Sequence, residues 1–176
     1  MRRSGENLMG IINDILDFSK LEAGQFQLEH KAFPLLQTLE DSCTLLAKSA
    51  HDKGLHLHCD LDVSEADWVR SDTLRVRQIV LNLLGNAIKF TEEGHVLLWA
   101  QWRPSDGSTS LHLRVQDSGI GMDAQQLDRL YTPFHQADSS HARRYGGTGL
   151  GMSITQHLVG LLGGQLTVKS NPGQGS

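Results

Sequence analysis

The chain has 176 residues, 39% of them hydrophobic and 20% charged, with a formal net charge of −4 and a pI near 6.1. That length buries a sizeable core in one compact domain, or one domain with an appendage, and the charge excludes a nucleic-acid surface, since no basic run exceeds the pairs Arg2-Arg3 and Arg143-Arg144. No apolar stretch approaches the ~20 residues of a spanning helix and no signal peptide opens the chain, so a cytoplasmic chain is expected, with any membrane link outside it.

Residues 4–23 place Leu8, Ile11, Ile12, Ile15, Leu16, Phe18 and Leu21 at helical spacing, with Ser4 as N-cap, Gly24 as terminator and Asp14, Asp17 and Glu22 off the apolar face. So broad an apolar face at a chain end needs a partner, which predicts one half of a helical bundle. "FQLEHKAF" (26–33) alternates like a strand, Pro34 opens a helix to about Lys53, and "LHLHCDL" (55–61) alternates strictly as a second strand. After the short "DWVRSD" comes a long helix from about Asp72 to Phe90, with Leu74, Ile79, Leu83, Ala87 and Phe90 as its core stripe. Beyond Gly94, "HVLLWAQWRP" and "TSLHLRVQD" flank the turn "SDGS" as a hairpin. A short helix over 123–131, a polar mobile loop over 135–147, a helix over 148–162 and a strand over 165–170 complete the pattern. The order predicts an α+β fold, a two-layer sandwich with helices on one face of a mixed sheet. Cys43 and Cys59, with no CxxC spacing, read as small buried hydrophobes in a reducing compartment.

Three constellations carry chemistry. On the helix 72–90, Asn82, Asn86 and Lys89 fall on one stripe. Asparagine is a poor interior helix former because its amide competes for the backbone; its oxygen suits a hard cation such as Mg²⁺, and the lysine ammonium suits a phosphate. Alone, the stripe also fits a solvated polar face. In "VQDSGIGMDA" (115–124), a strand ends at Asp117, and Gly119 and Gly121 allow a tight reversal. The spacing Gly119-x-Gly121-x-x-Ala124 also matches a dinucleotide fingerprint, but the strand before it is half of a hairpin and Asp138 lies in a polar loop, so the context of that fold is missing. The Asp117 carboxylate instead suits an exocyclic amine such as that of adenine. In "YGGTGLGMSI" (145–154), Gly147, Gly149 and Gly151 remove Cβ atoms at a helix N-terminus, where free N–H groups favour an anion, and Arg143 and Arg144 precede it with guanidinium groups suited to phosphates. A glycine turn for close helix packing is the alternative; no GxxxxGK[ST] pattern occurs.

The order Asn…Asn…Lys, Asp-x-Gly-x-Gly, polar loop, Gly-x-Gly-x-Gly resembles the ATP-binding domain of the sensor histidine kinases, in the superfamily of DNA gyrase B, heat-shock protein 90 and MutL, from "RRSGENLMGIINDILDFSKLEAG" to "SNPGQGS". The resemblance implies a Bergerat-type ATP-binding fold over 25–176, preceded by residues 1–24 as the second helix of the dimerisation hairpin. "NLLGNAIKF" is similar to the N box, with Asn86 as the Mg²⁺ ligand, Asn82 supporting it, Lys89 near the phosphates and Phe90 beside the nucleotide. "DSGIGM" is similar to the G1 box, with Asp117 on the adenine amine and Gly119, Ile120 and Gly121 forming the turn. "YTPFHQ" is similar to the F box, with Phe134 anchoring a lid. "GGTGLG" is similar to the G2 box, with Gly147, Thr148, Gly149, Leu150 and Gly151 at the phosphates and Arg143 and Arg144 assisting catalysis.

Two departures bear on mechanism. The superfamily's ATPases carry a glutamate at the position of Asn82, and an amide cannot act as a general base, so phosphotransfer is favoured over hydrolysis. None of the nine histidines has the phosphoacceptor context, a histidine followed by an acid and a nearby proline. The implied chain is therefore a fragment of a larger, homodimeric kinase anchored in the inner membrane, lacking the first bundle helix and the last strand. Its partners are ATP, a phosphoacceptor helix of the same kinase and, from the hybrid-kinase character of the lid, a receiver domain or response regulator. The rival is a non-catalytic module that binds a partner kinase through residues 4–23.

Overall fold

The computed structural model describes the backbone of residues 2–105, 108–135 and 148–176, and the side chains of 9–103, 109–135 and 148–176. The elements are α1 (Arg2–Glu22), β1 (Lys31–Pro34), α2 (Leu35–Asp52), β2 (His56–Asp62), β3 (Trp68–Ser71), α3 (Thr73–Phe90), β4 (His95–Ser105), β5 (Ser108–Asp117), α4 (Ala124–Asp128) and α5 (Gly151–Leu161). They divide into two compact units, one of residues 29–123 with 168–176, the other of 1–28 with 124–167.

The larger unit is built on a mixed sheet of order β2-β4-β5. β2 runs parallel to β4, from His56 opposite His95 to Asp62 opposite Gln101, and β5 returns antiparallel, Val96 opposite Asp117. Alternate residues of β4 (Val96, Leu98 and Ala100) are fully buried and join Leu35, Leu39, Val80, Leu84 and Ile88 of α2 and α3 in one core. Helices on one face of a mixed sheet is the expected α+β architecture. α3 is capped at both ends: Asp72 accepts from Arg75 N–H at 3.1 Å, and Lys53 Nζ donates to the carbonyls of Ile88, Lys89 and Thr91 at 2.7, 3.0 and 2.9 Å. These are carbonyls that a helix end leaves without partners. Burial lowers the Lys53 pKa, while the Glu92 carboxylate works the other way.

In the smaller unit α1 packs with α5, whose Ile154 and Leu158 are buried. The Phe18 ring meets Phe134 edge-on, centroids 5.8 Å apart, and Thr148 Oγ1 donates to Asp14 Oδ2 at 3.0 Å. α1 therefore turns its Asp14–Phe18 side inward and leaves Met9, Ile11, Ile12, Ile15 and Leu16 exposed. Among the described residues no helix is long and apolar enough to cross a membrane.

Several expectations need correction. Ser4 lies inside α1, which begins at Arg2. Of the strand expected over 26–33 only Lys31–Pro34 pairs, because β3 offers partners from Trp68 to Ser71 and none beyond; "DWVRSD" supplies that partner. The core stripe of α3 is rotated: Leu74 is 63% exposed and Leu83 only partly covered, while Val80, Leu84 and Ile88 point into the core beside Ile79 and Ala87. The helix expected over 123–131 shortens to Ala124–Asp128. α5 starts at Gly151, not Thr148, because Gly149 adopts a left-handed φ of 70° that an α-helix cannot contain. Residues 165–170 form no strand, since alternation supplies a face but not a neighbouring ladder. Cys59 is exposed and only Cys43 is buried.

Candidate nucleotide site

In the larger unit, the C-terminal end of α3 is joined backbone to backbone to the turn after β5. Ile120 N–H donates to Phe90 O at 3.2 Å. A Cβ on Gly119 would collide with that same carbonyl and lie 2.8 Å from Asp117 Oδ1. Glycine is required there by close approach. Gly121 has a φ of 64°, and a side chain on it would strike the Asn171 carbonyl, so glycine is required for conformation as well as space. The structure thus joins Phe90, the residue after Lys89 on α3, to the turn formed by Asp117, Gly119, Ile120 and Gly121.

Asp117 is half-buried, and its Oδ1 accepts from Gly119 N–H at 2.8 Å. Burial pushes its carboxyl above the ordinary carboxylate range, while hydrogen bonds from the Gly119 and Ser176 backbone and the neighbouring His95 pull it back. The result is a carboxylate kept out of bulk water but aimed by fixed donors, which suits a ligand amine. Lys89 is also half-buried, and its Nζ lies 4.7 Å from the centroid of the Phe90 ring. Burial lowers its pKa, so an anion beside it gains more than one beside a solvated lysine. Asn82 and Asn86 are partly buried on the same helix. Among the described residues no three His, Cys, Asp or Glu side chains converge as a metal cluster. The available oxygen donors are side-chain amides, which fit a hard cation held mainly through ligand phosphates and water.

In the smaller unit, Phe134 N–H donates to Gly149 O at 3.1 Å. A Cβ on Gly149 would lie 2.9 Å from the Phe134 carbonyl carbon. Phe134 itself has a left-handed φ of 61°, an uncommon state for a bulky residue, and is 63% exposed. Thr148 Oγ1 accepts from Leu150 N–H at 3.2 Å while donating to Asp14, and Leu150 is fully buried. Burial raises the Asp14 carboxyl pKa, with the Thr148 bond lowering it and Asp17 raising it further. Arg143, Arg144 and Gly147, and the loop expected over 135–147 apart from His135, lie outside the described residues.

One supporting feature lies beyond the expected constellations. Ser170 Oγ accepts from Met122 N–H at 2.8 Å and donates to Gly175 O at 2.8 Å, and Asp117 N–H donates to Ser176 O at 3.0 Å. The turn over 171–175 thereby braces the Asp117–Met122 reversal, and Gly175, with a φ of 80°, sits where a side chain would strike the Asp117 carbonyl. Its signal in the sequence is "NPGQGS", a Pro-Gly and Gly-rich turn.

Comparison with known proteins agrees with this arrangement. Residues 71–176 match the family described as histidine kinase-, DNA gyrase B-, and HSP90-like ATPase. Over its whole length the chain is 48% identical to the signal transduction histidine-protein kinase BarA of Escherichia coli strain K12, covering 19% of that protein. It is 43% identical to the sensor protein GacS of Pseudomonas syringae pv. syringae, covering 20%. The chain thus spans about a fifth of the length of these relatives. The crystal structure of full-length ShkA in complex with AMPPNP superposes with a TM-score of 0.82 at 34% identity, over 99% of this chain and 35% of that one.

Proposed function

Because the chain belongs to the histidine kinase-, DNA gyrase B- and HSP90-like ATPase family, we propose that it is the ATP-binding catalytic region of a hybrid sensor histidine kinase, passing the γ-phosphoryl group to a histidine on another segment. The observation that carries this is the joint between Phe90 and Gly119, which ties the end of α3, where Lys89 lies, to the turn that holds the braced Asp117. Asp117 accepts from the adenine amine and selects the base; Gly119, Ile120 and Gly121 shape the turn, and Phe90 lies against the nucleotide. Lys89, Arg143 and Arg144 neutralise the phosphates. Phe134, Gly147, Thr148, Gly149, Leu150 and Gly151 form the glycine-rich phosphate-binding segment and its lid.

Asn86, supported by Asn82, would hold Mg²⁺, whose charge offsets that of the phosphate oxygens. With an amide at Asn82 no side chain there activates water, so the γ-phosphoryl is kept for the acceptor histidine. Catalysis is then mostly positioning and charge neutralisation. Residues 1–24 are the second helix of the dimerisation hairpin and 25–176 the catalytic domain. In the full protein this hairpin forms a homodimer, a receiver domain or response regulator takes the phosphoryl group onward, and the anchor lies in the inner membrane. The exposed apolar side of α1 supports pairing with another bundle helix.

Incubation with γ-labelled ATP tests the transfer. The chain alone should remain unlabelled, and a separate polypeptide carrying a phosphoacceptor helix and its histidine should acquire acid-labile, alkali-stable label when the chain is added. Binding of ATP with no transfer to that polypeptide would favour the non-catalytic module. Stable label on the chain alone would make one of its own histidines the acceptor.

A further inference from the structure

Cys43 and Cys59 meet across the helix–sheet interface, at a distance along the chain from every residue assigned to nucleotide. β2 alternates, and Leu57, Cys59 and Leu61 share the side that packs toward the core. α2 covers this side, with Cys43 buried on it at 8% exposure. The two side chains are near enough to influence one another. Both also line two adjoining surface grooves of about 610 and 380 Å³, flanked by Glu40, Thr44 and Leu61 on one side and Ala47, His51 and Leu55 on the other. One sulfur is thus open to a solute and the other waits behind it.

We propose that Cys43 and Cys59 form a redox-active dithiol that closes reversibly to a disulfide, joining α2 to β2, when the chain meets a small-molecule disulfide such as oxidised glutathione. The exposed Cys59 is the sulfur a solute reaches first, while burial pushes the Cys43 thiol up to about 12 and keeps the proton on it. The Cys59 thiolate attacks one sulfur of the oxidant, breaking its S–S bond and expelling one glutathione thiolate. Cys43 then attacks Cys59 Sγ, breaking the mixed disulfide and releasing the second glutathione. The two protein thiols lose two electrons to the oxidant's S–S bond, and their two protons end on the two glutathione thiols. The bond closes a loop of 15 intervening residues, which constrains the unfolded chain.

The test is a titration of the whole chain with oxidised glutathione, quenched with iodoacetamide and followed by intact mass, peptide mapping and thermal unfolding. The expected result is joint loss of both thiols, a linked peptide pair containing Cys43 and Cys59, no retained glutathione, a raised unfolding midpoint, and full reversal by dithiothreitol. Cys43→Ala should trap glutathione on Cys59. Cys59→Ser, at an exposed site that leaves the core intact, should leave Cys43 unmodified. A stable glutathione adduct on Cys59 of the unaltered chain, a dimer linked through Cys59, modification of Cys43 in Cys59→Ser, or two free thiols throughout would overturn the proposal.

Discussion

α1 and α3 are both amphipathic helices, and they use their two sides in opposite ways. α3 hides its aliphatic stripe, Val80, Leu84 and Ile88, and keeps Asn82, Asn86 and Lys89 at the surface or near it. α1 packs the side bearing Asp14 and Phe18 and leaves Ile11, Ile12, Ile15 and Leu16 exposed. Hydrophobic pattern alone therefore does not say which side is covered; the rest of the chain does. A half-buried polar stripe on a helix locked into a core suits a small charged ligand, and an exposed aliphatic stripe suits another helix.

The contrast is sharpest in stability. Leu84→Ala removes a fully buried side chain and should cost about 2–5 kcal/mol in urea denaturation. Leu16→Ala, at a residue 52% exposed, should stay within about 0.5 kcal/mol. A large cost at Leu16 would mean that the α1 stripe is already covered. The second effect lies on the polar stripe. Lys89→Gln should weaken ATP by roughly 1.5–3 kcal/mol, the worth of a charged hydrogen bond. Because burial has lowered the Lys89 pKa below 10.5, the affinity of the unaltered chain should fall as pH rises through that lowered value, and Lys89→Gln should flatten the dependence. Calorimetry across alkaline pH checks both.

The smallest effect belongs to the packed side of α1. Thr148→Val removes the bond to Asp14 and should cost about 1 kcal/mol at neutral pH. The Asp14 pKa is raised in the fold, so its favourable share of stability is present below the unfolded value and lost as pH climbs through the folded one. Removing Thr148 takes away the influence that lowers this pKa and deepens that loss. The variant and parent should therefore converge in acid and diverge above the folded pKa, with the Asp14 carboxyl resonance titrating higher in the variant.

Much of this is legible in the sequence, for physical reasons. The Asn-Lys stripe follows from helical periodicity and the Asp117 turn from glycines after a strand, so the residues that meet at Phe90 and Gly119 can all be picked out from the chain alone. The rotation of α3 is not legible: in a helix so rich in Leu, Ile and Val, the stripes through Leu83 and Leu84 fit the period almost equally, and packing with α2 decides. Alternation over 26–30 and 165–170 cannot reveal that those segments lack a ladder. Ser170 goes unnoticed because one hydroxyl among many carries no pattern until its partners, Met122 and Gly175, are brought beside it. The inward turn of Asp14 depends on Thr148, more than a hundred residues away.

The central claim is that Asp117 reads the base of a bound adenine nucleotide, and a titration of the chain and of Asp117→Asn with a fluorescent ATP analogue and its guanine counterpart tests it most directly. The parent should prefer adenine. The variant should bind the ATP analogue more weakly by about 1.5–3 kcal/mol and lose most of that preference, while gaining stability at neutral pH because the buried charge is gone. Undiminished affinity and selectivity in a folded Asp117→Asn would contradict the account.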